Sequence, residues 1–134
     1  MTSENSSEEK HIRQLVEEWA SAVRRKDLEG ILRHHSEDIV MFDVPPPFQM
    51  RGLKAYEETW HLYFTMSTDP PVFDIQSIEI TAGAEVAFAV ALMRCAYFEN
   101  GKEINLDFRL TIGFRKIEDQ WTFVHEHHSI PAET

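Results

Sequence analysis

The sequence contains one cysteine in 134 residues and no long hydrophobic run. With Cys95 alone, no internal disulfide can form, and we expect a cytoplasmic protein because thiols stay reduced there. A membrane-spanning helix needs about 18 or more consecutive apolar residues, and the chain has no such stretch. Residues 1–10 are polar and acidic, so we expect no signal peptide.

Basic residues are also scarce. The chain has 13 Lys and Arg against 23 Asp and Glu, which gives a formal net charge of -10. An acidic surface repels phosphate backbones and anionic lipid headgroups. We therefore expect neither nucleic acid nor a membrane as a partner.

Apolar residues are plentiful, and they are arranged in two different ways. They make up 43% of the chain and include nine Phe and three Trp, enough for the core of one domain over residues 1–134, with 1–7 as a flexible tail. The first half shows helical periodicity from Ile12 onward, with a cap for a second short helix at Asp27 and a third helix starting near Gly52. The second half alternates as strands do, so the order predicts an α+β fold.

The strand region carries three register signals. A parity switch near Gln76 predicts a β-bulge, and Asn100-Gly101 is a hairpin turn signal. In the last hairpin, a four-residue loop over 116–119 pairs the strands so that one face is polar. On that face Asp107 lies opposite His128, Arg109 opposite Glu126, and Thr111 opposite Val124.

This polar face has two interpretations. If water reaches it, the groups form ordinary surface ion pairs; if helices cover it, they must be paired and their pKa values shift. Two histidines on the opposite face, His125 and His127, have strand spacing for a metal, but no third ligand is evident and we expect no metal or cofactor. The pair His34-His35 is predicted to lie on a helix surface.

Asp43 and several aromatic residues are further site candidates. Asp43 ends an apolar strand just before Pro45-Pro46-Pro47, as a turn residue or as a carboxylate at a cavity mouth. Trp19, Tyr56 and Trp60 lie on apolar helix faces, where they pack in the core or form the wall of a small-molecule pocket. No phosphate-binding glycine motif and no nucleophile motif is present.

Four segments, in their order and spacing, resemble a known superfamily. They are KDLEGILRHHSEDIVMFD, then MRG, then LDFRLTIGFRK, then WTFVHEHHS. Together they resemble the nuclear transport factor 2-like superfamily, closest to its ketosteroid isomerase-like and SnoaL-like branch. The resemblance implies a cone-shaped roll of three N-terminal helices packed on a strongly bent, mostly antiparallel six-stranded sheet.

The same resemblance implies roles for individual residues. Asp43 matches the general base of ketosteroid isomerase, and Asp107 matches the protonated acid that donates to the substrate oxyanion. Trp19 stands where that enzyme has a tyrosine. A cationic His128 beside Asp107 would instead keep Asp107 ionised, as an Asp–His general base.

The resemblance also orients the strand before Asn100-Gly101. It implies that Met93, Cys95 and Tyr97 face the pocket, whereas a strict two-residue turn puts Arg94 opposite Asp107. The candidate catalytic residues are Asp43, Asp107 and His128. The candidate substrate-binding residues are Trp19, Tyr56, Trp60, Met93, Tyr97, Arg109, Val124 and Glu126.

Two functions follow from these expectations. The first is a cofactor-independent isomerase, cyclase or dehydratase that abstracts a proton next to the carbonyl of a small apolar substrate. The second is a non-catalytic ligand-binding or dimerisation module of the same fold.

The predicted register also implies a homodimer. If helices cover the polar face, the apolar face of Leu106, Phe108, Leu110, Ile112 and Phe114 is left outside, together with Trp121 and Phe123. Burial of this patch against a second copy gives a two-fold dimer through the outer sheet face. We expect the dimer to weaken as pH falls through about 6.5, because His125 and His127 become charged at the interface.

Overall fold

Three helices and six strands make up the chain in the computed structural model, which describes the backbone of residues 3–132 and the side chains of residues 7–132. The elements are α1 (Ser3–Arg24), α2 (Leu28–Leu32), β1 (His35–Phe42), β2 (Met50–Arg51), α3 (Leu53–Met66), β3 (Phe73–Ala82), β4 (Val86–Glu99), β5 (Lys102–Ile117) and β6 (Gln120–Ser129). No described helix combines the length and the apolar character needed to cross a membrane.

All six strands form one sheet in the order β2-β1-β6-β5-β4-β3. Only β1 and β6 run parallel; the other neighbouring pairs are antiparallel. The sheet curls without closing, and its inner face shares one hydrophobic core with the apolar faces of the helices. The predicted α+β roll is therefore confirmed.

Helix α1 buries the apolar stripe that its periodicity predicted. Ile12, Val16, Trp19 and Val23 are almost fully buried. Helix α1 begins at Ser3, within residues 1–7, and the flexibility expected for these residues stays a prediction. Residues 1 and 2 lie outside the described residues.

The second helix is shorter than the sequence suggested. Asp27 caps it, since its side chain accepts a hydrogen bond from the Gly30 N–H at 3.1 Å. The helix ends at Leu32, and His34 turns the chain with a positive φ of 64°. The predicted helix-surface position of His35 is therefore wrong: His35 starts β1 and is buried.

The last hairpin has a different register from the predicted one. Ile117 pairs directly with Gln120, so the turn has two residues, Glu118 and Asp119, both with positive φ. This is the two-residue hairpin geometry that matches strand twist. Farther along, a β-bulge lies between the pairs Phe114–Phe123 and Gly113–His125, with Val124 as the extra residue.

The bulge reverses the faces of the residues that follow it. Glu126 pairs with Ile112 and His128 with Leu110, on the buried face. The predicted pairs Asp107–His128, Arg109–Glu126 and Thr111–Val124 are therefore wrong. The two-residue turn shifts the register by two, and the inserted residue then moves every later side chain of β6 to the other face.

The patch proposed for dimerisation is not on the outer face, because the helices cover the apolar side of the sheet instead of the side that carries Asp107. Phe108, Leu110, Ile112 and Phe114 face the core with Trp121 and Phe123, so none of them is available on the outer face. His125 and His127 do lie on the outer face, on the opposite side of the sheet from these residues.

The other two register signals are confirmed. The register of β3 against β4 shifts between Ile75 and Ser77, around Gln76. Asn100-Gly101 forms the β4–β5 turn between the paired residues Glu99 and Lys102. The two orientations weighed for β4 are compatible, because Cys95 and Tyr97 face inward while Arg94 pairs with Asp107 outside.

Asp27 caps the N-terminus of α2, and the contribution of this cap to stability can be measured. We expect Asp27→Ala to lower the free energy of unfolding by about 1 kcal/mol, because one helix N–H loses its acceptor. Asp27→Asn keeps the acceptor and should change it by only a few tenths. Urea unfolding checks both, and equal losses in the two variants would contradict the capping role.

Candidate functional site

An apolar cavity of about 270 Å³ opens between α3, the segment after β1, and the inner face of the sheet. Its aromatic walls come from α3 and from β3 to β5, and include Trp60, Tyr63, Phe73, Tyr97 and Phe108. The volume lies near the lower end of the usual range for ligand pockets, which suits a small molecule. A depression of about 370 Å³ beside α1 is lined largely by polar and charged surface residues.

A carboxylate and an imidazole border the apolar cavity, one from the segment after β1 and the other from β6. Asp43 follows β1, is half-buried, and accepts a hydrogen bond at Oδ1 from the Val44 N–H at 2.7 Å. His128 lies near the end of β6 and is almost fully buried. The Asp43 charge is close enough to raise the pKa of His128.

Behind the cavity wall lies a completely buried carboxylate, that of Glu126. Its Oε2 accepts from the Tyr56 hydroxyl at 2.7 Å and faces His35 Nε2 at 2.9 Å. Its Oε1 faces His128 Nε2 at 3.0 Å. Three side chains from α3, β1 and β6 therefore converge on this single carboxylate.

Trp19 and the Arg33 carbonyl, which contact Tyr56 and His35, determine where the hydrogens of this network lie. Trp19 Nε1 donates to the Tyr56 oxygen at 3.0 Å, and an indole N–H can only donate. The single Tyr56 proton is therefore free to go to Glu126. His35 Nδ1 faces the Arg33 carbonyl oxygen at 3.0 Å, which can only accept. The His35 ring is stacked between Phe123 and Tyr56, with centroids at 4.2 and 4.8 Å.

Electrostatics inside the core favour an ionised Glu126. Burial raises its pKa, but hydrogen bonds from His128 and His35 outweigh burial and lower the pKa to about 2. For Tyr56, burial and the nearby Glu126 charge raise the pKa well above its usual value, so it stays protonated.

The surroundings of His128 affect both its pKa and the orientation of its ring. Burial lowers its pKa, but the hydrogen bond and charge of Glu126, together with Asp43, raise it above the usual value. The ring stacks on Phe108 with centroids 5.5 Å apart. Nε2 is engaged by Glu126, and no residue in the described range hydrogen-bonds to Nδ1. Nδ1 is therefore the ring nitrogen available to a molecule in the cavity.

The structure brings together only some of the predicted site residues. Asp43, His128, Trp60 and Tyr97 line the cavity. Four others, Trp19, Tyr56, Met93 and Glu126, are buried in the core next to it. Val124 sits at the bulge and does not line the cavity.

The predicted pocket positions of Asp107 and Arg109 are wrong. Asp107 faces outward and forms a two-pronged hydrogen bond with Arg94, at 2.8 and 3.2 Å. That hydrogen bond lowers the pKa of Asp107, the opposite of a protonated acid. Arg109 is also exposed and donates to Ser129 Oγ at 3.1 Å.

His35 is the participant that the sequence pattern did not reveal. The β1–β6 register shifts between His35 and Val40, so regular alternation does not extend back to His35. The available signal was indirect, because a buried glutamate needs a basic partner. Among the side chains of residues 7–132, no cluster of three or more from His, Cys, Asp or Glu has the arrangement to hold a metal ion.

Comparisons with known proteins agree with the fold. Residues 12–133 match the family model described as the SnoaL-like domain. An NTF2-like protein of unknown function from Pseudomonas putida KT2440 is similar, with 36% identity over 96% of this chain and 89% of that one, and a TM-score of 0.85. A search of curated proteins finds no match.

More distant structures share the fold alone. A nuclear transport factor 2 (NTF2-like) superfamily protein from Salmonella enterica is 18% identical over 96% of this chain and 94% of that one, with a TM-score of 0.78. The association domain of CaMKII from C. elegans is 14% identical over 96% of this chain and all of its own length (100%), with a TM-score of 0.74.

Removal of the Glu126 charge from the buried network should lower the stability of the fold substantially. We expect Glu126→Gln to lower the free energy of unfolding at pH 7 by about 3–5 kcal/mol, the usual cost of removing one partner from a buried ion pair. Glu79→Gln, on the exposed face of β3, is the matched control and should change it by less than about 0.5 kcal/mol. Similar losses in both variants, measured by urea unfolding, would show that Glu126 carries no special role.

The lowered pKa of Glu126 also predicts a pH dependence. Its stabilising contribution is complete above the ordinary glutamate value of 4.5 and is lost as pH falls toward the folded value of about 2. The stability gap between the wild type and Glu126→Gln should therefore narrow from pH 5 to pH 3. A gap that stays constant or widens over this range would contradict an ionised Glu126.

Proposed function

Because the chain belongs to the SnoaL-like domain family of the nuclear transport factor 2-like superfamily, we propose that its cavity binds a small, largely apolar carbonyl compound, on which Asp43 and His128 move a proton. The observation that carries this proposal is the pairing of these two titratable groups at an apolar cavity. His128 is held there by a buried carboxylate, which orients its ring.

The lining of the cavity favours a neutral ligand. Among the described residues that border it, none is Lys or Arg, so the cavity has no permanently charged cation to pair with a carboxylate or phosphate. The Asp43 carboxylate would also repel an anion. A neutral ketone or aldehyde with a compact hydrocarbon body fits both the volume and the polarity.

The chemistry proposed is enolisation. The Asp43 carboxylate takes a proton from the carbon next to the carbonyl, and the C–H electron pair forms the enolate. His128 acts in its protonated form: its Nε2–H is held by Glu126, and its Nδ1–H donates a hydrogen bond to the carbonyl oxygen, where negative charge develops. Return of the proton at another carbon gives isomerisation, and departure of a leaving group gives elimination. His128 thus takes the role that the resemblance had assigned to Asp107.

Substitution of Asp43 separates catalysis from binding. With small cyclic ketones such as cyclohexenone in D₂O, we expect the wild type to accelerate deuterium exchange at the carbon next to the carbonyl. Asp43→Asn should lower that rate by about 100-fold or more, because the base is gone, while ligand affinity changes little. NMR measures the exchange and the binding in one sample.

The matched control is Asp107→Asn, since this carboxylate lies on the outer face. It should leave both the exchange rate and the affinity unchanged. Equal effects of the two substitutions, or parallel loss of rate and affinity in Asp43→Asn, would rule out Asp43 as the base.

A second candidate function, association through the outer sheet face, rests on a different observation. Four apolar side chains of β4 point outward in one row and are 44–62% exposed: Val86, Phe88, Val90 and Leu92. An exposed apolar row of this kind is typical of an interaction surface. The CaMKII association domain from C. elegans shares the fold. We propose that a second copy of this chain covers the row in a two-fold dimer.

Sedimentation tests this dimer. We expect a dimer at micromolar concentration and pH 7.5, and a monomer for Val90→Glu, because a charge at the centre of the row cannot be buried without a partner. Ile117→Glu, an exposed apolar position at the β5–β6 turn, should remain dimeric. A monomeric wild type would remove the proposal. Weakening of the dimer at pH 5.5 stays a prediction, since His125 and His127 share this outer face.

A further inference from the structure

One buried carboxylate, Glu126, is shared by two imidazoles, and only one of them reaches the cavity. We propose that His35 is a positioning residue: it neutralises Glu126 from the core side, so that His128 binds its proton weakly enough to exchange it with a ligand. This inference deepens the proposed function and rests on it for its consequence in the cavity. The interaction itself is independent of any substrate.

The hydrogen-bond directions determine the charge of the His35–Glu126 pair. The Arg33 carbonyl can only accept, so His35 Nδ1 carries a hydrogen. The Tyr56 hydroxyl gives its hydrogen to Glu126 Oε2, because Trp19 occupies its acceptor side. One more proton lies between His35 Nε2 and Glu126 Oε2, at 2.9 Å. Whichever of these two atoms holds it, the pair has no net charge.

The neutral His35–Glu126 pair changes the proton affinity of His128. With His35 present, a proton on His128 adds a net positive charge to a core that already holds the balanced pair. Without His35, Glu126 keeps a full negative charge and His128 becomes its sole basic partner. An opposite charge within hydrogen-bond distance favours the protonated imidazole, and removal of a nearby like charge does the same. His35 therefore lowers the proton affinity of His128 relative to an isolated Glu126–His128 pair.

Other groups around His128 do not replace this effect. Phe108, which stacks on the ring from β5, has no charge. The titratable groups on the packed elements are Glu126 on β6, His35 on β1, Tyr56 on α3 behind the wall, and Asp43, Cys95, Tyr63 and Tyr97 around the cavity. Burial raises the pKa of Tyr63 and of Cys95, so both stay uncharged near neutrality. Asp43 remains in place when His35 is substituted.

The substitution His35→Gln tests the inference, because glutamine keeps an N–H for Glu126 and removes the charge. In protein labelled with ¹³C and ¹⁵N at histidine, the ring signals of His128 are followed from pH 5 to pH 9. We expect the titration midpoint of His128 to rise by about one pH unit or more. His34→Gln is the matched control, since His34 is the exposed neighbour, and it should leave the midpoint unchanged.

A double-substitution cycle shows whether the effect passes through Glu126. In a Glu126→Gln background, His35→Gln should no longer move the His128 midpoint, because no carboxylate is left to share. His35→Asn, which keeps an amide near the Arg33 carbonyl, is the second variant should glutamine prevent folding. An unchanged midpoint in a folded His35 variant, or a shift that persists without Glu126, overturns the inference.

The midpoint is measured without substrate, so the two proposals fail separately. A shifted His128 midpoint with no protein-catalysed exchange on ketones supports the role of His35 and removes the enolisation proposal. Where exchange is present, its pH profile should move to higher pH in His35→Gln, in step with the His128 midpoint. If the pH profile of exchange stays in place while the His128 midpoint moves, His35 has no role in catalysis.

Discussion

The side chain of Glu126 is the constraint on which the rest of the molecule depends. A fully buried carboxylate costs several kcal/mol unless donors surround it. Here the donors come from Tyr56 on α3, His35 at the start of β1 and His128 on β6. Satisfying one charge therefore fixes a helix and two strands relative to one another. The same arrangement aligns His128 at the wall of the cavity, so stability and the proposed chemistry share one set of contacts.

A single extra residue in β6 places that charge in the core. Before Val124 the strand follows simple alternation, with Trp121 and Phe123 buried; after it, Glu126 and His128 are buried in place of their neighbours. Without the bulge, both groups would face water, and His125 and His127 would face the core in their place. With the bulge in place, His125 and His127 lie on the outer face of the sheet. The exposed apolar row of β4, Val86, Phe88, Val90 and Leu92, lies on the same face.

Local chemistry predicted much of this fold. The order of elements, the bulge near Gln76, the Asn100-Gly101 turn and the Asp27 cap all depend on nearby residues, and all were correct. The faces of Glu126 and His128 could not be predicted, because they depend on a bulge that alternation in β6 does not signal. The role of His35 depends on a carboxylate 91 positions away, which no local pattern reports.

The ionisation of Glu126 can be observed directly. The side-chain ¹³Cδ signal of Glu126, assigned with the Glu126→Gln variant, reports its charge at each pH in the folded protein. We expect an ionised carboxylate from pH 7 to below pH 4, because the folded pKa is about 2. Protonation of Glu126 at or above the ordinary glutamate pKa of 4.5 would contradict this expectation, since the two imidazoles would then share no negative charge.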